Sequence, residues 1–193
     1  IGVDAGHRID RVNPAPTRVA IVGLALPEPR RLGRYLIEGI QVPSLPGSRA
    51  SMRSLIRDGV SATKLSRAVL KAEWVDELHR AGNPAYASFA DALVARLRPF
   101  DVVVFSTYCP LHPEILVSEL RSATRVLGFS DDPHSTYVRG IPYLWAFDAA
   151  YYISPSYSET MSFADLFERV GFTKVRWMPL VLPHDYPVLD VEQ

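Results

Sequence analysis

The 193 residues carry 21 Lys and Arg against 21 Asp and Glu, so the formal net charge is zero and nothing global points to nucleic acid or an anionic membrane as partner. With 48% hydrophobic and 22% charged residues, the chain has the profile of an ordinary globular protein, long enough for one well-filled α/β domain. Its single cysteine, Cys109, excludes an intrachain disulfide and any cysteine-based metal cluster, which makes a reducing cytoplasm the expected compartment, and no apolar run has the length of a membrane span.

Charge is distributed unevenly: residues 1–80 sum to +5 and residues 81–193 to −5, which reads as different faces of packed halves. The chain begins with Ile1 rather than Met and closes on an extended run from Pro187 to Gln193, so it is expected to be a piece of something longer. Residues 1–17, with Pro14 and Pro16, form a lead-in segment. Arg18 to Leu24 is a continuous apolar run, the signature of a strand buried on both faces, and Gly23 breaks it where a backbone could approach a ligand closely. No second glycine follows at dinucleotide-binding spacing. Arg30 to Glu38 reads as a short helix with a strand at Gly39 to Val42, and Arg49, Arg53 and Arg57 as the solvated side of a surface turn.

Leu65, Val69, Ala72, Val75 and Leu78 recur every three or four residues, which predicts a helix from Val60 to Arg80, capped by Ser61 and stopped by Gly82 and Pro84. A second helix runs Ala85 to Arg98. From Asp101 onward strands and helices alternate: strands at Asp101–Ser106, Arg125–Phe129, Asp148–Ser154 and Lys174–Met178, and helices at Pro113–Ser122 and Ser156–Val170. The last of these has Ser156 and Glu159 at capping-box spacing and Gly171 as its stop. Ser135 to Phe147 reads as helical at its ends and interrupted by Gly140 and Pro142. Such alternation predicts an α/β fold: a doubly wound, mostly parallel sheet with helices on both faces, spanning residues 18–183.

In that fold the residues just past each strand converge on the carboxyl edge of the sheet. Here they are Gly23 and Leu24; Thr107, Tyr108 and His112; Asp131, Asp132 and His134; Ser154; and His184. Arg139 lies roughly one to two helical turns beyond His134, within reach of a phosphate or carboxylate. Hydroxyls, carboxylates and imidazoles together suit a polyhydroxylated ligand, and a carboxylate beside a histidine is the equipment of a general base. Side chains of Asp131 and Asp132 point apart, so one is expected to cap a helix entered through Pro133 while the other, with His134, faces the ligand, in either order. A lone Asp-Asp offers too few ligands for a metal site of its own. Cys109 has no partnered base and reads as a buried structural thiol.

Three stretches resemble a known family. Leu127-Gly128-Phe129-Ser130-Asp131-Asp132-Pro133, the aspartate-led Phe147-Asp148-Ala149-Ala150-Tyr151-Tyr152-Ile153-Ser154, and Val175-Arg176-Trp177-Met178-Pro179-Leu180 with His184 and Pro187 are similar, in order and spacing, to the amino-terminal domain of GT-B glycosyltransferases. The match is nearest the spore-maturation-protein-like members and covers a little under half the chain. The resemblance implies an acceptor-binding, Rossmann-like domain with catalytic Asp131, Asp132 and His134. Gly23, Leu24, Thr107, Tyr108, His112, Arg139, Ser154 and His184 would be its substrate contacts. It also implies a nucleotide-sugar donor as co-substrate, a glycan or small-molecule acceptor, no metal or other cofactor, and a linker at 184–193 toward a carboxyl-terminal donor-binding domain absent from this chain. By itself the fragment is then expected to be inactive. Two other classes fit a doubly wound sheet: a non-catalytic ligand-binding or regulatory domain, and half of a sugar-nucleotide epimerase. A receiver-type regulatory domain needs an acidic cluster after the first strand, where this chain has Gly23-Leu24-Ala25-Leu26.

Overall fold

The computed structural model describes residues 15–23, 26–42, 72–105, 109–129, 140–154 and 156–178. Its centre is a seven-stranded sheet built from β1 (Thr17–Val22), β2 (Arg30–Leu32), β3 (Tyr35–Ile40), β4 (Val102–Phe105), β5 (Thr124–Phe129), β6 (Ala149–Tyr152) and β9 (Val175–Trp177). The spatial order is β2-β3-β1-β4-β5-β6-β9. Every pairing is parallel except β2 with β3. The sheet therefore winds outward in both directions from β1, which is the doubly wound arrangement expected from the alternating elements. A two-stranded ribbon, β7 (Ser156–Ser158) and β8 (Met161–Ser162), lies apart from it.

Among the described residues, four helices and a 3₁₀ segment join the strands: α1 (Ala72–Arg80), α2 (Pro84–Leu97), α3 (Pro113–Glu119), the 3₁₀ turns at Ile141–Ala146, and α4 (Phe163–Arg169). Glycines end two of them in the same way. After α1, Gly82 at φ +59° donates to His79 O and Asn83 N to Leu78 O, each at 3.0 Å. After α4, Gly171 at φ +72° donates to Glu168 O and Phe172 N to Phe167 O, again at 3.0 Å. These pairs satisfy carbonyls that the helix leaves open, in the Schellman pattern that needs a left-handed residue. Asn83 then caps α2, its side chain accepting from Ala85 N and Tyr86 N, so α1 and α2 meet in a three-residue corner.

The connections β3 to β4, β4 to β5, β5 to β6 and β6 to β9 all step the same way across the sheet. Right-handed crossovers place their helices on one face. That face buries Ala20, Val22, Val103, Phe105, Leu127, Phe129 and Ala150. Under its carboxyl end lies a block of rings: Phe129 and Tyr152 from the sheet, Phe163 and Phe167 from α4, and Phe172 after it, with neighbouring centroids 5.0 to 6.4 Å apart. Gly140 is pressed against the Phe129 ring, where a Cβ would stand 2.3 Å from Phe129 Cε1. Alternate residues, among them Val19, Ile21, Ile37, Val104 and Val126, face the other way and are half-buried rather than buried. The helix expected between β1 and β3, Arg30 to Glu38, is a hairpin and supplies no cover to that face.

Two sequence expectations are corrected. Arg30 to Glu38 is not a helix but the hairpin of β2 and β3, and the strand placed at Gly39–Val42 begins instead at Tyr35. The two-residue turn Gly33-Arg34 explains the difference: only Gly33 has positive φ (+58°), the type II′ pattern, and β-branched and aromatic side chains follow it. A glycine inside a helix would instead cost about 1 kcal/mol. The helix expected from Ser156 starts at Phe163. Two Ser-x-x-acid boxes compete here, and the second one forms: Ser162 Oγ accepts from Asp165 N at 3.1 Å while the Asp165 carboxylate accepts from Ser162 N at 3.2 Å. The Ser162 hydroxyl also donates to Asp165 Oδ2 at 2.7 Å, and this bond, with the one from Ser162 N, holds the Asp165 carboxyl below its ordinary range. Helix residues expected at 60–71 and 135–139 lie outside the described residues.

At the amino edge two aspartates do one job. Asp101, one residue before β4, donates its N–H to Arg18 O and accepts Arg18 N–H on its carboxylate (3.0 and 2.8 Å). Asp148, one residue before β6, repeats this on Arg125 at 2.9 and 2.8 Å, and its carboxylate also accepts the guanidinium of Arg125 through two further bonds of 2.9 Å. Each aspartate thus fixes the register of a parallel pair where the strand begins. The Arg125 side chain holds the Asp148 carboxyl below its ordinary range, against the opposing pull of burial.

Candidate functional site at the carboxyl edge

Because β1 has β3 on one side and β4 on the other, the strand order reverses between β1 and β4. The crevice outside the carboxyl ends of two such strands is where open α/β sheets bind their ligands. Gly23 stands at this point. It follows β1 directly, is exposed, adopts φ +89°, and donates its N–H to Ile40 O at 2.9 Å, which turns the chain away from the sheet.

Of the other residues expected at this edge, His112 and Ser154 are described. Ser154 lies just past β6, half-buried, its hydroxyl donating to Ser156 O at 3.2 Å. His112 ends the β4–α3 connection. No hydrogen bond or ring contact joins Gly23, His112 and Ser154 to one another. Leu24, Thr107, Tyr108, Asp131, Asp132, His134, Arg139 and His184 lie outside the described residues.

His112 is the best defined of the three, and it is neither exposed nor isolated. As the N-cap of α3 it accepts Glu114 N–H on Nδ1 at 3.3 Å, with Pro113 at the first helical position. Its Nε2 meets Asp76 Oδ1 at 3.2 Å, so the neutral ring carries its proton on Nε2. Its backbone N–H donates to the Tyr86 hydroxyl at 2.7 Å, and that hydroxyl donates on to Pro110 O at 3.2 Å. The ring of His79, from the last turn of α1, stacks on it with centroids 4.0 Å apart and planes 16° from parallel. Glu114 closes the group, its Oε2 3.0 Å from His79 Nε2 and 3.9 Å from His112 Nδ1. Two carboxylate–imidazole pairs therefore stand side by side, clasping the end of α1 to the start of α3.

Electrostatics follow from burial. Desolvation lowers the pKa of His112 and the neighbouring His79 adds to this, outweighing the hydrogen bond that the ring donates to Asp76, so the ring is neutral at pH 7. Burial opposes ionisation of Asp76, but the hydrogen bonds from Arg80 and His112 prevail and hold its carboxyl below the ordinary value. Burial pushes the Tyr86 phenol up, and it stays a neutral donor. Cys109, fully buried with its Sγ 3.5 Å from Leu111 O, is likewise pushed up and is not a nucleophile in this setting.

Beside the stacked rings, a cleft of about 260 Å³ opens between the α1–α2 corner and α3, lined by Leu78, His79, Tyr86, Ala90, Ile115 and Glu119 among others. The side chains of His79, His112 and Glu114 each offer one donor atom, and the three atoms lie within 4.8 Å of one another. The sequence reading missed Asp76, His79 and Glu114. Their signal was spacing: Asp76 and His79 stand three apart on one face of a helix that Gly82 ends, and Glu114 lies two residues after His112.

Among the described residues no helix is long and apolar enough to cross a membrane. Compared with known proteins, the chain matches no family model, no curated protein and no solved structure.

Proposed function

We propose that the chain is the acceptor-side half of a cytoplasmic GT-B-type glycosyltransferase, which transfers a sugar from a nucleotide-sugar to a glycan or small-molecule acceptor. The observation that carries this is the switch point beside β1, with Gly23 exposed at it and β4, β5 and β6 delivering their carboxyl ends to the same edge. β5 ends at Phe129, so Asp131, Asp132 and His134 follow it immediately in sequence. The Asp-Asp-Pro after β5 and the aspartate-led β6 are the motifs that resemble this family.

In the reaction, Asp131, Asp132 or His134 takes the proton of an acceptor hydroxyl. That oxygen forms its bond to the anomeric carbon, and the bond from carbon to diphosphate oxygen breaks, releasing the nucleoside diphosphate. Leu24, Thr107, Tyr108, Arg139, Ser154 and His184 serve as acceptor contacts. His112, buried and bonded at both ring nitrogens, would position this wall through Glu114 and His79 rather than touch the ligand. The donor's binding groups belong to a second, carboxyl-terminal domain.

Calorimetric titration of this chain against UDP, GDP and a glycan panel tests the division of labour. Glycan binding with little nucleotide affinity is expected, whereas tight nucleotide binding would indicate a self-sufficient site and end this reading. In the protein joined to its donor domain, Asp131→Asn, Asp132→Asn and His134→Ala should each be assayed for transfer. Wild-type turnover in all three would remove that stretch from the chemistry.

A further inference from the structure

We propose that His79, His112 and Glu114 form a binding site for a divalent first-row transition ion such as Zn²⁺, with Asp76 as the outer carboxylate that orients one of the imidazoles. Two imidazole nitrogens and one carboxylate oxygen are a zinc donor set that leaves a fourth position open. In a tetrahedral zinc site such donors stand roughly 3.3 Å apart. Here the Glu114 oxygen is 3.0 Å from His79 Nε2 and 3.9 Å from His112 Nδ1, so small side-chain rotations bring all three onto one ion.

The surroundings favour that rearrangement. Asp76 accepts from His112 Nε2–H, which leaves the lone pair on Nδ1, the nitrogen nearer Glu114. A carboxylate behind a ligating histidine is the usual outer partner in metal sites. The bond His112 Nδ1 gives up is its 3.3 Å contact from Glu114 N, the longest made by the ring. The rings now stack nearly parallel, so His79 must turn for both lone pairs to converge. His79 and Glu114 have the freedom to do so, their side chains being 28% and 70% exposed against 8% for His112. Glu114 faces solvent, giving the ion an entry path and leaving the fourth position to water. The ion would staple the last turn of α1 to the first turn of α3.

Calorimetry of the whole chain with ZnCl₂ at pH 7.5, together with the visible spectrum after Co²⁺ addition, tests the assignment. One ion per chain and an intense tetrahedral Co²⁺ band are expected. Affinity should fall by a factor of 100 or more in His79→Ala and Glu114→Gln, and about tenfold in Asp76→Asn. His112→Asn, which keeps a capping side chain, should also lose the ion while circular dichroism shows the fold retained. Absence of stoichiometric binding to the wild type would overturn the proposal. So would a site that survives in the His79→Ala, Glu114→Gln double variant, or one lost instead on replacing His7, His134 or His184. None of these readouts depends on glycosyl transfer.

Discussion

The two edges of the sheet use ionisable residues in opposite ways. At the amino edge Asp101 and Asp148 lie flat against the neighbouring strand, hydrogen-bonded to its backbone and, for Asp148, to the guanidinium of Arg125. At the carboxyl edge Asp76, His79, His112 and Glu114 stand on a helix end and a helix start, and they bond mainly to one another. Charges at the first edge set strand register. Those at the second hold atoms that a ligand or ion can recruit.

The strongest test of this contrast is Asp148→Ala. It leaves the Arg125 guanidinium, only 13% exposed, with its 3.3 Å bond to Leu116 O alone, and should cost about 2 kcal/mol in urea denaturation. A loss below about 1 kcal/mol would mean the clamp is ornamental. Next is Gly140→Ala, which sharpens the comparison by loading the apolar floor beneath the carboxyl edge. Its Cβ meets a Phe129 ring already wedged by Phe163 and Phe167, and about 2 kcal/mol of stability should disappear in a thermal melt. Ser162→Ala removes the cap of α4 and should cost about 1 kcal/mol without altering binding at the His79–His112 pair.

The smallest effect expected is with pH. The folded pKa of His112 lies below its ordinary value of 6.5, so the unfolded chain binds the proton more readily. Its contribution to stability is complete above about pH 6.5 and is lost as pH falls through the lowered folded value. Asp148 is also lowered, from 3.8, so its contribution persists until the medium is more acidic than that. Between pH 7 and 5 the slope of stability against pH should therefore be shallower in His112→Asn than in the wild type, and unchanged in Asp148→Asn. Identical slopes in His112→Asn and wild type would remove His112 as the group responsible.

Much of the sheet was legible beforehand, because β4, β5, β6 and β9 are short apolar runs bounded by Asp, Pro or Gly. Gly82 and Gly171 marked helix ends correctly, since a left-handed residue there has few alternatives. Where local signals competed, the reading went wrong. Arg30 to Glu38 holds good helix formers, but Gly33 and pairing with β1 decided for strand. Ser156 and Ser162 both offered a cap, and only packing of Phe163 and Phe167 into the ring block distinguished them. His112 was singled out from its place after β4, yet its partners were not, because Asp76 and His79 reach it across 36 and 33 positions of sequence and only tertiary structure brings them there.

One consequence of the β2–β3 hairpin concerns self-association. Among the described residues β2 is the outermost strand on its side, and an open strand invites a second chain to extend the sheet. This one is three residues long, carries Arg30 and Arg31, and turns into Arg34. Two copies approaching edge to edge would bring six guanidinium groups together before any ladder bond formed. The hairpin that replaces the expected helix thus also guards the border of the sheet against templated growth, and neutralising those arginines should be the quickest route to an aggregating protein.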